Sequence, residues 1–143
     1  MSTENEIRSA SAAFYGALNR MARGEAGAMA DVWSHCPSVT ALHPIGGRDT
    51  GWTAVGGSFD RVAGIASAGD IRLTEQHINV AGDMAYEVGI ETGSLTLGGL
   101  SARIEQRVTN IYRREPAGWR VVHHPTDVSP AMLDVLARLQ TAA

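Results

Sequence analysis

The sequence predicts an α+β fold: three N-terminal helices, a long curling antiparallel sheet with one face covered by them, and a short last helix. Three observations predict it. Apolar residues recur at helical spacing near the N-terminus. From Asp70 onward the texture changes to alternation broken by Gly82-Asp83, Gly98-Gly99 and Pro116-Ala-Gly118. Between these regions, Val39-Thr-Ala-Leu-His-Pro-Ile-Gly-Gly47 is a short apolar run ending in one imidazole and stopped at once by Pro and Gly.

The first helix opens on Thr3-Glu-Asn-Glu6, which reads as a capping box, and continues to about Arg23 with Ile7, Ala10, Phe14, Leu18 and Met21 on one side. Gly24 suits its left-handed cap, and residues 26–33 form a short second helix that His35-Cys-Pro37 ends. The strand that follows puts Val39, Ala41 and His43 on one face, so His43 closes a row of small apolar side chains. A Gly-rich loop leads to a third helix from Thr50-Gly-Trp52, with Val55, Phe59, Val62 and Ile65 on its inner side and Gly56-Gly57 weakening it. Four long strands follow, at residues 71–80, 84–97, 102–114 and 119–125. Ser129-Pro130 then opens the last helix, whose stripe is Met132, Leu133, Leu136 and Leu139.

At 143 residues and 44% hydrophobic content the chain is one domain, residues 1–143. A net charge of −3 without a basic cluster argues against nucleic acid and acidic membranes as partners. Cys36 is the only cysteine, which excludes an internal disulfide and suits a reducing compartment. The polar, acidic start excludes a secretory signal, and no apolar run approaches the ~20 residues of a membrane span, so the cytoplasm is the expected location. Five histidines at no recognised ligand interval make a metal site unexpected, and no cofactor is expected: the chain lacks a Gly-x-Ser-x-Gly elbow, a phosphate loop and a dinucleotide fingerprint.

A sheet curling around helices leaves an apolar pocket of the kind small ligands occupy. His43, at a strand end beside the core, is placed for proton transfer or for a structural hydrogen bond. On the third long strand Ile104, Gln106, Val108, Asn110 and Tyr112 share the inward face, where the amides need a partner: a buried side chain, a water or a ligand. The last strand points Trp119, Val121, His123 and Pro125 one way and His124 the other, and His123 is expected inward because it continues an apolar row. Tyr15 sits at the margin of the first helix, where its hydroxyl can look into the cavity, and Trp33 and Trp52 flank the His43 segment as candidate walls.

The segment 33–47, Thr50-Gly-Trp-Thr-Ala-Val55 with Ser58, and Arg107-Val-Thr-Asn-Ile-Tyr-Arg-Arg with Gly118-Trp-Arg-Val-Val-His-His124 together resemble the nuclear transport factor 2-like superfamily. Within it they are most similar to the SnoaL-like, ketosteroid isomerase-like branch, which also includes the calcium/calmodulin-dependent kinase association domain. The resemblance implies a cone-shaped curved sheet, a pocket at its open end and a homodimer packed through the outer sheet faces. His43 stands where the isomerase has its Asp base, Asn110 matches an oxyanion-hole Asp and Tyr15 the oxyanion-hole Tyr. Two functions follow as expectations. One is an isomerase, dehydratase or cyclase that moves a proton next to a carbonyl of a small apolar or polyketide-like substrate, with His43, Asn110 and Tyr15 catalytic and Trp33, Trp52, Gln106, Val108 and His123 binding. The other is a non-catalytic ligand-binding or assembly domain, and fold alone does not choose between them.

Overall fold

The computed structural model describes residues 2–141. Helix α1 (Thr3–Ala22) is capped one residue earlier than expected: Ser2 Oγ accepts from Asn5 N at 3.2 Å, and Thr3 is the first helical residue. Gly24 takes a positive φ of 98°, as a left-handed cap requires. The second helix contracts to a single 3₁₀ turn, Ala28–Asp31, because Gly27 is itself left-handed and Trp33 already bridges to Val121 as strand. Strand β1 (Thr40–Leu42) follows, and the presumed Gly-rich loop contains a second strand, β2 (Arg48–Thr50), too short for alternation to reveal. Helix α2 (Trp52–Ala63) buries Val55, Phe59 and Ala63, whereas Ile65 lies beyond its end and is exposed. Its glycine has a purpose: a Cβ on Gly56 would stand 3.0 Å from the Trp52 ring, so the indole lies across that position.

The meander comprises β3 (Ala66–Ala81), β4 (Met84–Leu97), β5 (Leu100–Glu115) and β6 (Gly118–Pro125), and α3 (Pro130–Thr141) closes the chain with Ser129 Oγ accepting from Met132 N. On α3, Met132 and Val135 are buried while Leu133 is exposed. The sheet order is β2-β1-β6-β5-β4-β3, and it is mixed, because β1 runs parallel to β6. It is open, with β2 and β3 as edges.

Helix α1 packs across β3. The Asn19 amide clamps the two, donating to Ile71 O at 3.0 Å and accepting from Ile71 N at 2.8 Å as a neighbouring strand would. Ile7, Phe14, Leu18 and Met21 are all buried between helix and sheet. Bulges bend the sheet around them at 66/68, 74/77 and 111/112. No helix among the described residues is long and apolar enough to cross a membrane.

Candidate functional site

A cavity of about 250 Å³ opens between α1, α2, α3 and the concave face of the sheet. Its walls are mostly aliphatic, including Leu18, Met21, Val62, Ile71, Leu95, Ile104, Met132 and Leu136, and its polar lining is His43, Ser58, Arg61, Glu91, Gln106 and His124. Of the residues singled out in the sequence, His43 and Gln106 line it.

His43 leaves β1 at the point where Pro44 ends the strand, and its Nε2 lies 2.7 Å from Asp49 Oδ2 across the tight β1–β2 connection. Asp49 also accepts a short hydrogen bond from Ser58 Oγ, which in turn accepts from Arg61 Nη2 at 2.8 Å. Burial pushes the Asp49 carboxyl up, but the bonds from Ser58 and His43 outweigh it and hold the group below its ordinary range. An ionised Asp49 accepts a hydrogen bond from His43 Nε2–H, which leaves Nδ1 with the imidazole's lone pair. Phe59 meets the ring edge to face at 5.6 Å and fixes its plane.

The inward amides have side-chain partners on the adjacent strand. In the β4–β5 register Glu87 stands opposite Asn110 and Glu91 opposite Gln106, and both glutamates are almost fully buried. Gln106 Nε2 donates to Glu91 Oε1 at 2.8 Å, and Tyr15 Oη donates to Glu91 Oε2 at 2.9 Å. Asn110 Nδ2 donates to Tyr15 Oη at 3.1 Å and to Glu87 Oε2 at 3.0 Å. Glu87 further accepts from Tyr112 Oη at 2.5 Å and Gln76 Nε2 at 2.8 Å. Burial raises Glu91 above the ordinary carboxyl range, and the charge of Glu87 adds to this against the two hydrogen bonds. Burial and the neighbouring carboxylates raise both tyrosines. Tyr15 and Asn110 thus sit one layer behind the cavity wall, with the Tyr15 donor committed to Glu91 and those of Asn110 to Tyr15 and Glu87.

The expected orientation of the last strand is corrected. The β5–β6 register slips between Ile111 and Tyr112, which pair with His123 and Val121, so Val122 is an extra residue in a bulge. Alternation inverts past it. His124 is buried on the cavity wall, and His123 is only half-buried, its Nδ1 2.6 Å from Thr40 Oγ1. Burial, with His43 and His123 adding repulsion, pushes His124 down to about 3, so its ring is neutral. Because Asn110 Nδ2 donates to Tyr15 and Glu87, Asn110 Oδ1 is the acceptor facing His124 Nδ1 at 2.5 Å, which places the ring proton on Nδ1.

Trp33 backs His124 edge-on at 6.4 Å and Phe59 at 6.0 Å, while Trp52 stacks on His35 at 4.6 Å and 3°. Both indoles and Val108 stand outside the cavity lining. Sequence reasoning gave no role to Asp49, Arg61, Glu87 and Glu91, named Ser58 only within the family resemblance, and turned His124 away from the cavity. A signal for the glutamates was present, since they alternate in phase with Ala85, Leu95 and Leu97, which are core residues. Among the described residues no group of three or more His, Cys, Asp or Glu is placed to hold a metal ion.

The family model for the SnoaL-like domain matches residues 7–129. A search of curated proteins returned no match. Among solved structures, a candidate dehydratase of the nuclear transport factor 2-like family from Streptomyces avermitilis superposes with a TM-score of 0.76 at 23% identity, over 89% of this chain and 96% of that one. A nuclear transport factor 2-like superfamily protein from Salmonella enterica gives 0.77 at 17% identity, over 90% and 94%. A candidate calcium/calmodulin-dependent protein kinase type II association domain from Thiobacillus denitrificans gives 0.68 at 27% identity, over 85% and 93%. These likenesses carry the fold; the chemistry has to come from the cavity.

Proposed function

Because the chain belongs to the SnoaL-like domain family, whose shared fold does not decide an activity, we propose its function from the cavity itself. The chain takes up a small, mostly apolar molecule and moves a proton at a carbon next to a carbonyl, as an isomerase, dehydratase or cyclase does. One observation carries this reading: His43 lines an apolar cavity with one ring nitrogen tied to the half-buried Asp49 carboxylate and the other left with its lone pair.

His43 Nδ1 takes the proton, and Asp49 stabilises the imidazolium that forms, as a carboxylate behind a catalytic histidine does in general. Arg61 lines the same cavity and is its one cationic side chain among the described residues, so it is the group suited to a developing enolate oxygen. Tyr15 and Asn110 act at one remove, Tyr15 by holding Glu91 and Asn110 by holding His124. No cofactor is invoked. The molecule works as a homodimer in the reducing cytoplasm, with the half-exposed outer row of Met84, Tyr86 and Val88 on β4 as the supporting surface.

Solvent deuterium uptake at the carbon next to the carbonyl of α-tetralone, followed by proton NMR, tests the reading. His43→Ala should slow the catalysed exchange by about 10²–10⁴-fold, the range of general base catalysis, and Asp49→Asn should lower it in the same direction. Binding without any exchange above the buffer rate, across small cyclic ketones, would instead assign the cavity to ligand storage or assembly.

A further inference from the structure

The cavity wall contributed by β5 and β6 offers acceptors without donors. Three buried side-chain atoms among the described residues lack a hydrogen-bond partner: the indole nitrogens of Trp33 and Trp119, and Gln106 Oε1. Only Gln106 belongs to the cavity lining, and it is 94% buried, with its relative exposure at 6%. Its orientation is set by Glu91, which takes the Nε2 donor and leaves Oε1 without one. A buried carbonyl oxygen of this kind is costly unless something donates to it.

His124 adds a second acceptor on the same wall. Its Nδ1 proton is spent on Asn110 Oδ1, so Nε2 carries a lone pair, and no residue among those described donates to it. The two donor groups nearby are already spent, Tyr15 Oη on Glu91 and the Asn110 amide on Tyr15 and Glu87. A ligand carbonyl pressed against this wall would meet oxygen and nitrogen lone pairs; each acceptor needs a hydroxyl or N–H of its own.

We infer that the ligand carries a hydroxyl or N–H donor at the end held by Gln106 Oε1, which narrows the substrate class to small hydroxylated carbonyl compounds. The inference rests on the proposed reading of the cavity as a small-molecule site. Its room, about 250 Å³, suits an organic molecule of roughly ten to fifteen heavy atoms at ordinary packing density. The carbonyl then faces Arg61 and His43, at the other polar lining, and the hydroxyl faces the sheet.

Calorimetric titration of the unmodified protein in mildly acidic buffer tests this with three probes of one skeleton: α-tetralone, the same ketone with a hydroxyl para to the carbonyl, and its methyl ether. The hydroxyl compound should bind at least about tenfold more tightly than the other two, the effect of one net hydrogen bond to a buried acceptor. In Gln106→Met that preference should fall to about threefold or less while the ether keeps its affinity. Equal affinity of phenol and ether in the unmodified protein, or a preference that survives Gln106→Met, overturns the inference and leaves the cavity reading standing. Failure of all three to bind removes both. The ranking in unmodified protein decides the matter even where a variant fails to fold.

Discussion

Lowering the pH should destabilise this protein through one side chain, His124, and the size of the effect follows from its burial. The folded ring is held neutral down to about 3, whereas an unfolded histidine titrates near 6.5. Between those values only the unfolded chain takes the proton, so stability falls as pH drops through 6.5 and keeps falling toward 3. The cost is RT ln(1 + 10^(6.5 − pH)): about 0.2 kcal/mol at pH 7 and about 2 kcal/mol at pH 5. Within this window the unfolded imidazole does the titrating, so the figure holds for any folded value below about 4.

Glu91 works in the opposite sense, because its raised folded value makes the native state bind a proton first and adds stability as the pH falls through that value. A comparison of two proteins cancels it. His124→Asn keeps an N–H donor for Asn110 Oδ1 and cannot titrate; its lost packing against Phe14, 5.1 Å away, and Trp33 is the same at both pH values. Urea unfolding at pH 7 and pH 5 should therefore show the advantage of the unmodified protein over His124→Asn shrinking by about 2 kcal/mol. An advantage that is unchanged or larger at pH 5 would mean that the ring accepts a proton in place, and the neutral state assigned from its burial would be wrong.

Other outcomes test the surrounding structure. Glu87→Leu leaves the donors of Gln76, Asn110 and Tyr112 without their acceptor and should cost about 3 kcal/mol or more in urea unfolding, whereas Glu87→Gln should cost clearly less. Gly93→Ala places a Cβ 1.7 Å from Asp70 O at a φ of 141°, so β3 and β4 must separate there; a loss exceeding about 2 kcal/mol is expected, with hydrogen exchange accelerated at Arg72, which pairs with Thr92 across the two strands. Tyr86→Lys puts a charge in the outer apolar row of β4 and should turn a dimer into a monomer in light scattering; a monomer before substitution would refute that part of the proposal.

The fold was legible where one periodicity persists. The inward face of β5 runs without interruption from Ile104 to Tyr112, so five residues of alternation placed Gln106 and Asn110 correctly on the concave side. The same rule failed on β6 because Val122 is a single additional residue, and nothing in Val121-Val122-His123-His124 distinguishes a bulged strand from a regular one. The parallel pairing of β1 with β6 and the three-residue β2 are products of tertiary contact, absent from any local pattern. At the site, His43 was recognisable because Pro44 stops its strand. Asp49 was not, since only the β1–β2 turn brings it back onto the imidazole, and the glutamates went unread because charged residues are ordinarily assigned to solvent.

The parallel seating of β1 on β6 also orders events in time. A ribosome releases the N-terminal part first, yet the segment bearing His43 waits for a rail made 83 residues later, when Thr40 can meet His123. Helix α1 and the β3–β4–β5 hairpins need only near neighbours in the chain, so they form ahead of it. Docking of the imidazole–carboxylate pair against the sheet consequently waits until β6 has been made, and a nascent chain interrupted before Pro125 is a scaffold with its working corner undocked.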